Sequence, residues 1–178
     1  LGYLLDATPS RHNQGSAGMI DMPRSWTDLA GAGLFSIDGF EGKTDDQFKL
    51  TNLVHTINAS GLCIFGVSSF MDRFILPEFL EATVGWRLSP EELVKLGERI
   101  GTLRVAFNFR EGLESQKWIA PDRILGRPPI QNGPLAGKQL NIENAIQAVR
   151  IRSGWDPITV KPTQEKLLEL GLENVIED

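Results

Sequence analysis

Ser89-Pro90-Glu91-Glu92 constrains the fold more than any other stretch of this chain. An N-cap serine, a proline at the first helical position and a glutamate three residues after the serine make a capping box, in which side chains satisfy the unpaired donors of the first turn. The helix it opens is expected to run to about Arg110. Leu93, Leu96, Ile100, Leu103 and Phe107 recur along it at steps of three and four, the spacing of a core-facing seam. Arg99, Arg104 and Arg110 lie mostly off that seam and are expected to pair with neighbouring carboxylates such as Glu98, Glu111 and Glu114.

A second helix is expected from Thr44 or Asp45 towards Asn58. Leu50, Leu53, Val54, Ile57 and Gly61 fall on one stripe of it, and Thr51, Asn52, His55 and Asn58 on another. Gly61 is its natural stop, because glycine enters the left-handed conformation that ends many helices. Met71 to Val84 reads as helical, started or broken at Pro77. Asn141 is expected to cap Ile142 to Arg152, ended by Ser153-Gly154, and Thr163 to cap Gln164 to Leu170, closed by Gly171. Trp155-Asp156-Pro157 reads as a packing anchor at a helix end.

Between these elements, Lys117 to Leu140 is a proline- and glycine-rich connection. Residues 1 to 44 are rich in Gly, Ser, Asp and Pro and read mostly as ordered loop, with a short turn of helix near Ser25 to Leu29. No run of alternating apolar and polar residues argues for a sheet. The expectation is an all-α fold: one irregular multihelical domain over residues 1–178 with long ordered loops.

Length and charge narrow the function classes. A chain of 178 residues can bury a core, and 41% hydrophobic with 23% charged residues is ordinary globular composition. Net charge is −5 and the basic residues are scattered, so nucleic acid is not an expected partner. Apolar stretches such as Leu62 to Val67 are far too short to cross a bilayer. The absence of a charged-then-apolar leader and the single cysteine together suggest a cytoplasmic protein. Leu1-Gly2-Tyr3 reads as the interior of a longer protein, from which this chain is a segment.

That cysteine, Cys63, sits in Asn58-Ala-Ser-Gly-Leu-Cys-Ile-Phe65. Gly61, two residues before it, lets backbone approach a bulky ligand, and a thiolate is a soft metal ligand. One cysteine cannot hold an iron–sulfur cluster, which usually takes four thiolates, so the rest of such a site would lie on other polypeptide. Read on its residues alone, a lone thiol beside Leu62, Ile64 and Phe65 is more often inert and buried.

Several segments together resemble the C-terminal domain of the tungsten-containing aldehyde ferredoxin oxidoreductase family. Leu1-Gly2-Tyr3 with Ala7-Thr-Pro-Ser-Arg-His12 resembles its opening, and the Gly61-Leu-Cys63 segment resembles the family's Asp-x-x-Gly-Leu-Cys-x-Phe. Gly97-Glu-Arg-Ile100 with Phe107-Asn-Phe-Arg-Glu-Gly112 resembles its long helix, and Gly154-Trp-Asp156 with Pro162-Thr163 and Glu165 to Leu172 its end. The segments occur in the family's order over nearly the whole chain.

The resemblance implies a site built by several domains around a tungsten (or molybdenum) bis-pterin and a [4Fe-4S] cluster. Cys63 would be the fourth cluster ligand, with the other three thiolates on the middle domain. Asn58, Gly61 and Leu62 would contact a pterin; Asn58 stands where the family carries aspartate, keeping an acceptor oxygen but losing the charge. His12, in a stretch without helical period, would polarise the carbonyl or move protons. His55 is read as solvated or structural.

The implied activity of the complete protein is oxidation of a small aldehyde to a carboxylic acid, with electrons passing through the cluster to ferredoxin, and the fragment alone would be inactive. Its partners would be the remaining domains, and surfaces left uncovered by them invite self-association. Two other readings stay open: a family member that reduces an aromatic thioester or another carboxylic derivative, and a helical interaction domain that kept the fold without the cofactor.

Overall fold

The computed structural model describes residues 2–8, 44–63, 66–67 and 75–176. His12, the turn expected near Ser25 to Leu29, and residues Ile64, Phe65 and 71–74 lie outside them. Among the described residues there are six α-helices: α1 (Gly2–Leu5), α2 (Thr44–Ala59), α3 (Leu76–Val84), α4 (Pro90–Arg110), α5 (Glu143–Arg152) and α6 (Gln164–Glu169). Two short 3-10 turns, Ser115–Lys117 and Glu173–Val175, accompany them. The β pairing among these residues is a single isolated bridge between Trp155 and Pro162, so the architecture is all-α as expected.

α4 starts as its sequence dictates. The Ser89 hydroxyl accepts from the Glu92 N–H at 3.2 Å, and the Ser89 N–H donates to the Glu92 carboxylate at 2.7 Å. The face it buries is not the expected one. Leu93 is buried, but Leu96 and Ile100 are only half-buried and Leu103 and Phe107 are 44% and 51% exposed. Gly97, Gly101, Thr102, Val105 and Asn108 go inside instead. The reason is close helix approach: a Cβ placed on Gly97 would lie 1.7 Å from the carbonyl oxygen of Asn52, so α2 and α4 touch backbone to backbone where no side chain fits. Small residues select the contact face here, and the bulkier seam turns outward.

α2 is packed by α4 on one side and α5 on another, which buries more than its apolar stripe. Leu50, Leu53, Val54 and Ile57 are fully buried and form the main core with Leu76, Leu80 and Leu93. Part of the polar stripe also goes in: Asn52 and His55 are buried, as is Thr56 beside them, and the Thr56 hydroxyl donates to the Leu93 carbonyl at 2.7 Å across the α2–α4 contact. A solvated His55 is thereby excluded.

α5 begins at Glu143 after Ile142, with no side-chain cap. Asn141 is exposed and does not cap it; the buried side chain of Ile142 fixes where this helix starts. Arg152, near its end, lies 4.0 Å over the Phe48 ring and donates to Asp45 at 2.8 Å, tying α5 to the start of α2. A hydrogen bond from Lys49, helped by Arg152, holds the Asp45 carboxyl below its ordinary range. Thr163 caps α6 as expected, and Leu167, Leu170 and Leu172 make a second small core. Lys166 anchors this end to α4 through Glu98 at 2.8 Å, with both side chains about nine-tenths buried.

Candidate functional site

The segment Asn58 to Cys63 forms the C-terminal rim of α2. Ser60 donates from its hydroxyl to the Thr56 carbonyl at 2.7 Å, and the Gly61 N–H to the Asn58 carbonyl at 3.3 Å, which closes the last turn. Gly61 then turns the chain with φ +75°, a conformation side chains resist. Leu62 is half-buried and packs against the main core, so it pins the rim. Its two neighbours consequently face outward. Gly61 is exposed with nothing within 4 Å of where a Cβ would stand, and Cys63 is exposed.

Burial of the thiol, expected from its residues alone, is therefore not observed: Cys63 lies outside the hydrophobic packing that holds Leu62. Beyond it, the Cys63 carbonyl accepts from the Val67 N–H at 2.9 Å, so the backbone around the thiol is held on both sides. Asn58 is half-buried at the same rim. The rim presents an accessible sulfur, a soft metal ligand, with open glycine backbone beside it and the Asn58 carboxamide at the end of the helix. Among the described residues no group of three or more His, Cys, Asp and Glu could hold a metal ion by itself.

On the far face of α2 lies a cavity of about 30 Å³ between α2, α4, α5 and the N-terminal segment, with Asn52, His55, Gly101 and Trp155 in its wall. Space of that size suits about one or two water molecules. Two buried donors, Asn52 Nδ2 and Trp155 Nε1, meet no partner among the described residues. Burial, and then the positive Arg104 beside it, push the His55 pKa down to about 3, so the ring is neutral. Arg104 donates to His55 Nδ1 at 3.2 Å, which leaves the ring proton on Nε2.

Of the residues singled out from sequence, Asn58, Gly61, Leu62 and Cys63 are brought together at one rim, while His12 lies outside the described residues. Arg110 pairs with Glu111 at 3.0 Å as expected, and Arg104 reaches Asp6 and Thr8 on the N-terminal segment. Sequence reasoning missed the helix contact at Gly97 and the buried His55–Arg104 pair. The four-residue spacing of Gly97 and Gly101, two glycines inside a strongly capped helix, was the available signal.

Residues 1–172 match the family described as "Aldehyde ferredoxin oxidoreductase, domains 2 & 3". The chain belongs to the aldehyde ferredoxin oxidoreductase family. Tungsten-containing aldehyde ferredoxin oxidoreductases from Pyrococcus abyssi and Pyrococcus horikoshii are 31% and 32% identical to it over 142 and 140 residues. Those matches cover 75% and 73% of this chain and 22% of each relative. The enzyme of that name from Thermococcus kodakarensis is 32% identical over 139 residues, covering 72% of this chain and 22% of its own length. The chain thus spans about a fifth of the length of these relatives. Among the described residues no helix is long and apolar enough to cross a membrane.

Proposed function

We propose that this chain is the C-terminal helical part of a tungstopterin enzyme that oxidises an aldehyde, with water, to a carboxylic acid. The observation that carries the reading is the exposed Cys63 beside open Gly61 at the end of α2, in a family whose named relatives contain tungsten. Cys63 would provide one thiolate of a [4Fe-4S] cluster, the other three coming from polypeptide outside these residues. The Asn58 carboxamide would hydrogen-bond a pterin, accepting and donating without the charge of an aspartate. Gly61 and Leu62 would offer backbone at close range, and His12 would bind the carbonyl oxygen or carry a proton. When bound, the tungsten pterin would supply two-electron oxidation and the cluster one-electron transfer towards ferredoxin.

A cytoplasmic location goes with this reading, since the lone thiol must stay reduced to ligate metal. Asn58 gives a second reading some support: loss of the aspartate charge suits a helical interaction domain without cofactor. The two separate on the full-length protein purified without oxygen. Tungsten and iron in the protein, with aldehyde-dependent reduction of ferredoxin, is the expected result. A folded, metal-free protein that oxidises no aldehyde would replace the enzyme reading with the interaction one.

A further inference from the structure

Three chain segments meet at the guanidinium of Arg104. From α4 it donates to His55 Nδ1 on α2 at 3.2 Å, to Asp6 Oδ1 at 3.2 Å and to Thr8 Oγ1 at 2.7 Å. One turn further along α4, the Asn108 carboxamide donates to the Ala7 carbonyl at 2.6 Å. The Asp6 side chain is fully buried, and the same oxygen accepts from the Thr8 N–H at 2.7 Å. Residues 6–8 are thus gripped through side chains of a helix about a hundred positions away in sequence.

We propose that Arg104, aided by Asn108, is a positioning residue that fixes the Asp6–Thr8 segment against the helix leading to Cys63. This rests on the functional reading above. His55 lies three residues before Asn58 on α2, so one guanidinium ties the helix that carries Asn58 to the Asp6–Thr8 segment. The chemistry calls for arginine. Its planar fork sends Nη1 to His55 and Nη2 to Asp6 and Thr8 at once, a fixed spread of donors that a single ammonium, a compact point charge, does not offer. His55 suits the other end of the clamp: a neutral ring accepts at Nδ1 without placing two cations in contact.

The clamp is tested in the full-length protein with Arg104→Met, Arg104→Lys and Thr8→Val, reading amide exchange of the peptide covering residues 2–8 by mass spectrometry. Metal content, kcat and KM for an aldehyde are read beside it. Arg104→Met and Arg104→Lys are expected to speed exchange in that peptide by about tenfold or more, since each cuts hydrogen bonds to a charged group. Iron and tungsten content should stay at the wild-type level while kcat falls by about tenfold and KM moves less. Thr8→Val should shift both readouts the same way by a smaller factor, and it keeps the Arg104–His55 contact should Arg104→Met fail to fold. Unchanged exchange in folded Arg104→Met, or faster exchange with unchanged kcat, would overturn the proposal. A metal-free, inactive wild-type protein would instead overturn the functional reading and remove the clamp's role in the site, even with exchange faster in the variants.

Discussion

Gly97→Ala should be among the most damaging single-methyl substitutions in this protein. The added Cβ would stand 1.7 Å from the Asn52 carbonyl oxygen, 2.4 Å from its carbon and 2.9 Å from Asn52 Cα. These are backbone atoms in the middle of α2, so no rotamer change relieves the clash. Restoring an ordinary contact requires α2 and α4 to separate by roughly 1.5 Å, and a gap of that size forfeits about half or more of the dispersion energy of each contact across it. Overpacking of this kind costs about 1–3 kcal/mol or more. The better helix propensity of alanine returns about 1 kcal/mol. The lost contacts include Leu93 and the Thr56 hydroxyl bond, which puts the expected net loss at roughly 2–4 kcal/mol.

Urea unfolding followed by far-ultraviolet circular dichroism measures this, with Gly112→Ala as the comparison. Gly112 has φ +77° and open space around its Cβ position, so alanine there meets only backbone strain, worth about 1 kcal/mol. Gly101→Ala should fall between, since its Cβ would meet the His55 ring at 3.0 Å rather than backbone. A Gly97→Ala protein as stable as wild type would refute the backbone-to-backbone contact on which the α2–α4 packing rests.

The remaining predictions concern charge. His55 is held neutral with its pKa near 3, below the ordinary 6.5, so the unfolded chain binds a proton that the folded chain refuses between those values. Its contribution is complete above about pH 6.5 and is lost as pH falls towards 3, at roughly 1 kcal/mol per pH unit. His55→Gln should flatten the dependence of urea midpoint on pH in that window, and an unaltered slope would contradict the burial. Lys166→Met should cost about 3 kcal/mol by leaving Glu98 buried without its counter-charge, while Lys166→Met with Glu98→Met should recover much of that. A loss in the double variant equal to the sum of the Lys166→Met and Glu98→Met losses would show that the pair is not coupled. Burial works against the Lys166 ammonium, but the hydrogen bonds it donates to Glu169 and Glu98 outweigh it and raise its pKa, so this contribution should fade only as pH climbs through that raised value.

Local rules carried the helix boundaries well because they depend on neighbours in sequence. The capping box at Ser89, the threonine cap at Thr163 and the glycine stop at Gly61 all act within one turn. Packing faces were harder to read, since they depend on which helix arrives. The seam through Leu103 and Phe107 has the right period, but Gly97 permits a closer approach on another face, and that contact prevails. His55 looked polar enough for solvent; only the two-sided burial of α2 and the reach of Arg104 from α4 explain its position. At Asn141 a favourable capping residue lost to the burial of Ile142. For the candidate site, motif order pointed to Asn58 through Cys63, whereas the exposure of the thiol beside a core-packed Leu62 is something no motif encodes.

The most direct measurement is of iron in the full-length protein carrying Cys63→Ala, purified without oxygen beside wild type. The account predicts that the variant folds with wild-type helicity, because an exposed thiol contributes little to the core, yet loses the paramagnetic signal of a reduced [4Fe-4S] cluster and most of its iron. Full iron content with an unchanged cluster signal in Cys63→Ala would contradict it.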